Sequence, residues 1–182
     1  MKKILVLLSF GLFAAVCFAQ TKLIPAQSDI SFSVKQMGVP VEGKFAKFDA
    51  QIAFDPNKPD AGKISFSIDL NSAAIGDAET ARELKKPEWF SVIKFPTANF
   101  TSTSIKSVGP SKFEVLGSLV IKGIVKPVVV PVTLTKAGAV TTADGVFVMK
   151  RTDFKIGEGD WSDFSIVAND VQVKFKLSLS GI

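Results

Sequence analysis

The chain of 182 residues has no histidine and no tyrosine, and its single cysteine is Cys17. Without histidine it lacks the commonest general base, and no nitrogen–sulfur metal site can be assembled. One cysteine cannot form an intramolecular disulfide, so the fold must rest on its core. Serines are plentiful, but no Gly-x-Ser-x-Gly elbow is present and no imidazole is available to activate a hydroxyl. The formal charge of +5 is scattered. No basic run is interleaved with aromatics, which argues against a nucleic-acid partner. There is also no internal repeat and no low-complexity linker.

The first nineteen residues read as a secretory leader. Lys2 and Lys3 supply the positive start, Ile4 to Phe18 is apolar, and Cys17-Phe18-Ala19 places small residues where a signal peptidase reads them. Cleavage is expected after Ala19, leaving residues 20–182 as one domain exported to the periplasm or secreted. Lipidation at Cys17 is disfavoured by the bulky Val16 before it and by the lack of a leucine three residues upstream. Beyond the leader no run approaches the ~20 apolar residues of a membrane helix. The mature chain is therefore expected to have no transmembrane segment.

What the chain does have is phenylalanine, sixteen in all, of which only Phe10, Phe13 and Phe18 lie in the leader. Many alternate with polar residues, the spacing that sends successive side chains to opposite faces of a strand. In 29–36, Ile30, Phe32 and Val34 oppose Ser31, Ser33 and Lys35; in 63–70, Ile64, Phe66, Ile68 and Leu70 oppose Ser65, Ser67 and Asp69. Further strands are expected over 41–54, with a bend near Gly43 or at Ala46-Lys47, and over 98–105, 112–121, 125–135, 145–151 and 170–179. Residues 55–60 read as a turn. Pro127 and Pro131 cannot donate to a ladder, so the sixth strand is expected at an edge or a bulge. One short helix is expected over 78–86, capped by Asp77 and stopped by Pro87. Eight alternating strands predict an all-β fold, an antiparallel sheet closed into a barrel with the last strand against the first. A barrel of that size either fills its interior with side chains or holds one small ligand.

Five pieces occur in a familiar order: Gly43-Lys44-Phe45, Leu84-Lys85-Lys86-Pro87-Glu88-Trp89-Phe90, Phe95-Pro96, Gly117-Ser118-Leu119-Val120-Ile121-Lys122-Gly123 and Arg151-Thr152-Asp153-Phe154. Together they resemble the YceI-like family of exported lipid-binding proteins, over essentially 23–179. The resemblance implies an eight-stranded lipocalin-like barrel with a helical segment, holding a polyisoprenoid or similar long-chain isoprenoid or fatty lipid in an apolar interior. Some members are dimers, so a homodimer is compatible with it. No cofactor is implied. Where the family often has glycine after the Arg-Thr-Asp-Phe motif, this chain has Lys155. The segment 156–163 resembles a glycine- and tryptophan-containing branch of the family.

On that reading the ligand-lining set is Ile30, Phe32, Val34, Phe45, Ile64, Phe66, Ile68, Phe100, Val115, Leu119, Val173 and Phe175 from strands. Trp89, Phe90, Phe154 and Trp161 would join them from loops, and Arg151 and Lys155 would meet a head group. Trp89 and Phe90 are read equally as a plug or as the lining of a mouth. From the strands alone, the rival is a filled barrel serving as a structural or interaction module. Its contact surface would be Leu116 and Val120, the apolar second face of 112–121. From the residues alone, an ion pair of Arg151 with Asp153 that pins a loop is the favoured reading, and a guanidinium reaching a head group is its rival. Glu158, Asp160 and Asp163 raise the possibility of glycosidase or calcium chemistry, but their spacing is not that of a calcium loop. A solvated acidic loop is the plainer reading, and no catalytic residue and no enzyme activity are expected.

Overall fold

The alternating runs become the staves of one antiparallel sheet in the computed structural model, which describes residues 21–182. The expected leader and its cleavage point lie outside the described residues. The strands are β1 (Lys22–Leu23), β2 (Asp29–Gln36), β3 (Val39–Phe45), β4 (Phe48–Ala53), β5 (Lys63–Asp69), β6 (Ala73–Ile75), β7 (Thr97–Gly109), β8 (Lys112–Ile121), β9 (Ile124–Ala137), β10 (Val140–Lys150) and β11 (Val167–Ser180). They run in the order β4-β5-β7-β8-β9-β10-β11-β2-β3-β6, with β1 on β11. The strand total exceeds the expected eight because β3 and β4 are one interrupted strand and β1 and β6 are very short. The interruption falls at Ala46-Lys47, one of the two sites the slipped alternation marks. The half before it pairs with β2 and the half after it with β5. That brings the two ends of the sheet order together and curls the sheet into a barrel.

β11 pairs with β2, Val173 opposite Phe32 and Phe175 opposite Ile30, as the expected closure requires. β9 pairs with β8 from Ile124 to Thr133 but with β10 only from Thr133 to Ala137. Over 124–132 it is an edge, and Pro127 and Pro131 fall there because that side asks for no donor. β10 leaves β9 after Asp144, continues against β11 to Lys150, and stops short of the expected Arg151. Residues Arg151–Phe154 form a 3-10 turn instead, packed against β9, β10 and β11.

Helix α1 (Ala78–Glu83) is capped by Asp77, whose Oδ1 accepts from the backbone N–H groups of Glu79 and Thr80. It ends three residues earlier than the sequence suggests. From Leu84 the chain tightens, Lys85 N–H donating to Arg82 O, and then folds back so that Phe90 N–H reaches Leu84 O. This return carries Trp89 and Phe90 inward across one end of the barrel.

Candidate functional site: an apolar channel with a polar-edged mouth

Inward-facing side chains leave two neighbouring apolar cavities, of about 170 and 140 Å³. Ile30, Ile68, Leu119, Phe147 and Val173 line both, so the two chambers adjoin at a shared waist along one channel-like interior. Part of the space is kept open by glycine. Gly43, Gly117 and Gly145 lie under the rings of Phe32, Phe100 and Phe175, and the ring atoms stand 2.4–2.6 Å from where a Cβ would be. The rings therefore fold back onto the wall rather than across the lumen, a use of glycine beneath aromatics familiar from sheet design.

The upper chamber lies under α1. The polar residues on its wall are Gln36, Thr80, Glu83 and Arg151, whereas the lower chamber has none. Thr80 is solvent-exposed and Gln36 and Glu83 are half-buried, so the channel meets water between α1 and the β2–β3 hairpin. Trp89 and Trp161 pack there with ring centroids 5.4 Å apart. Both line the upper chamber, as does Phe90. Trp89 Nε1 is buried with no acceptor among the described residues.

All of the expected lining residues stand on this channel wall except Phe154. Ile30, Phe32, Val34, Phe45, Ile68, Leu119 and Val173 come from strands into the upper chamber or the waist. Ile64, Phe66, Phe100, Val115 and Phe175 surround the lower chamber. Phe154 is 1% exposed and packs in the core behind the wall, because its segment is a turn and not a continuing strand.

The expected head-group contacts are otherwise engaged. Arg151 is 1% exposed and donates five hydrogen bonds, all to backbone carbonyls. Nε reaches Ala168 O, Nη1 reaches Ile156 O and Gly157 O, and Nη2 reaches Trp161 O and Val167 O, at 2.6–3.1 Å. A guanidinium has five N–H donors, so none is left for a head group. Burial lowers its pKa from the ordinary value, and no carboxylate pairs with it among the described residues; Phe164 covers it, with its ring centroid 5.6 Å from Cζ. Nor does Arg151 pair with Asp153. Its task is to gather the loop 156–168, and the loop brings Trp161 to the mouth.

Lys155 is exposed, has φ of +53°, and lines neither chamber. Its carbonyl is bound by Lys122 Nζ, which also holds Pro87 O at 3.0 Å and Glu158 at 3.1 Å. No pattern in the sequence marks this buried lysine side chain as the staple of three mouth segments. Glu158 is thus paired with Lys122, while Asp163 binds Ser165, which holds its carboxyl below the usual range. None of Glu158, Asp160 and Asp163 lines the channel.

Sequence reading missed Phe147 at the waist and Met149 above it. The signal was present as the alternation Gly145, Phe147, Met149. It was masked because Val146 and Val148 make the other face equally apolar.

Comparison with known proteins agrees with this architecture. The model of the YceI-like domain matches residues 22–179. Protein YceI of Salmonella arizonae is 31% identical over 159 residues, 84% of this chain and 80% of that protein. The crystal structure of Burkholderia cenocepacia BcnA superposes with a TM-score of 0.84 at 43% identity, covering 86% of this chain and 99% of BcnA. A polyisoprenoid binding domain from Saccharophagus degradans shares the fold, with a TM-score of 0.74 at 16% identity, covering 89% and 98% of the two chains.

Proposed function

This chain belongs to the YceI-like family, and we propose that it holds a polyisoprenoid or similar long-chain amphiphile in the barrel, for transport or storage after export. The observation that carries the reading is the pair of adjoining apolar chambers, with polar residues only on the wall of the upper one, which we read as one channel. An unbranched or isoprenoid tail suits such a shape, because each buried methylene contributes about 0.8 kcal/mol and a five-carbon unit up to about 4 kcal/mol. Association and ordering take back a share of that. The polar end of the cargo would sit between Gln36, Glu83 and the Trp89–Trp161 pair. The leader-like residues 1–19 support export to the periplasm, and the Saccharophagus domain offers a precedent for the ligand class.

Native mass spectrometry of protein purified from its own host tests this. One long-chain lipid per chain, recovered by organic extraction, is the expected result; a bare chain with no extractable lipid overturns it. A second reading, association with another copy of the chain, is favoured by the outer face of β8 and β9. There Leu116 lies opposite Val129 and Val120 opposite Val125, and both valines are exposed. The same spectra read it, as a dimer whose chains carry no lipid.

A further inference from the structure

We infer that the mouth docks onto a lipid surface through an apolar rim formed by the tip of the β2–β3 hairpin and the loop before β11. The inference rests on the lipid-holding reading. Met37 is 72% exposed, Val39 63% and Phe164 55%. They are parts of one rim: Met37 N–H donates to Ile166 O at 2.8 Å, tying the hairpin tip to the loop that carries Phe164. The tip is a rigid presentation, since Met37 at φ +48° and Gly38 at φ +81° form the two-residue turn that suits a hairpin. Gln36 and Val41, on the same hairpin, line the channel directly below.

Two features commit the rim to a membrane as its partner. First, it borders the opening of the channel, so a tail leaving a bilayer there would pass from hydrocarbon to channel wall without crossing water. Second, the charges around it are mixed: Lys35 and Lys155 stand among Glu42, Glu158, Asp160 and Asp163, all exposed. A rim without a charge of one sign docks by apolar insertion and does not select anionic lipid.

The opposite end supplies an internal control. Val108, at the β7–β8 turn, is 54% exposed, nearly as much as Phe164. It adjoins Gly109 and Pro110, which border a solvent-open depression around Ile182 that shares no residue with the upper chamber under α1.

The test is co-flotation of the purified, lipid-stripped protein with phosphatidylcholine vesicles, repeated with phosphatidylcholine–phosphatidylglycerol vesicles and at high salt. The comparison is between wild type, M37N/V39T and V108T. Asparagine tolerates the positive φ of Met37, and threonine keeps the β-branch of valine. Wild type and V108T are expected to float with both vesicles at either salt. M37N/V39T should float about tenfold less, the scale of losing one buried apolar side chain. In solution, without vesicles, all three should bind dispersed geranylgeraniol alike. Equal flotation of all three proteins, flotation only with anionic vesicles, or no flotation at all overturns the docking inference. Failure of geranylgeraniol binding by wild type instead removes the lipid-holding reading beneath it.

Discussion

At the scale of single residues, the channel depends on side chains that do not touch its contents. Arg151 draws five carbonyls around one guanidinium and so fixes the loop that brings Trp161 to the mouth. Replacing it by methionine, similar in volume, leaves those carbonyls facing a buried apolar group. Leaving buried polar groups without partners is expensive. Arg151→Met should therefore lose roughly 3 kcal/mol or more of unfolding free energy, measured by urea denaturation without any lipid present. A stability equal to wild type would mean that the guanidinium serves a ligand instead. The sequence could not reveal this role. Backbone carbonyls carry no signature in the alphabet of side chains, so Arg151 read as a partner for Asp153 or for a head group.

At the scale of elements, the strands were legible because burial on one face leaves an alternation of period two, and β5 shows it without a slip. Elements held by other forces were not. β6 is three residues long and exists through its pairing with β3, which no local pattern records. The end of α1 follows from the chain folding back through Phe90, a tertiary event. The start of α1 was legible, because Asp77 carries the cap in its own side chain. Hydrogen bonds from Thr80 N–H, and then from the Thr80 hydroxyl, hold the Asp77 carboxyl below its ordinary value of 3.8. A carboxylate with a lowered folded pKa stabilises fully above its unfolded value, and that contribution is lost as pH falls through the folded one. The protection of the Ala81 and Leu84 amides, which bond to Asp77 O and Thr80 O, should therefore fall as pH drops below 3.8. In Asp77→Asn the helix should lose that pH dependence while keeping an acceptor at the cap. Protection that varies identically in both proteins would place the titration elsewhere. Since α1 borders the channel mouth, its loosening in acid should also speed ligand release.

At the scale of the whole molecule, one curled sheet separates an apolar interior from water and gives it a polar-edged mouth under α1. Hollow and filled barrels share the same strand alternation, so periodicity alone could not choose between them. The difference lies in how rings pack against the glycines of neighbouring strands, and that is a property of register. The waist tests the account most directly. Leu119 stands on both chambers, and Leu119→Trp should close the passage between them. The measurement is the affinity for isoprenoid alcohols of increasing chain length, by titration calorimetry, in the wild type and this variant, with thermal melts to show that both are folded. In the wild type, affinity should climb with each added five-carbon unit until both chambers are filled. In the variant, the shortest alcohols should bind as before and further units should add nothing. A wild-type affinity indifferent to chain length, or a folded Leu119→Trp protein that follows the wild-type series throughout, would contradict a continuous channel.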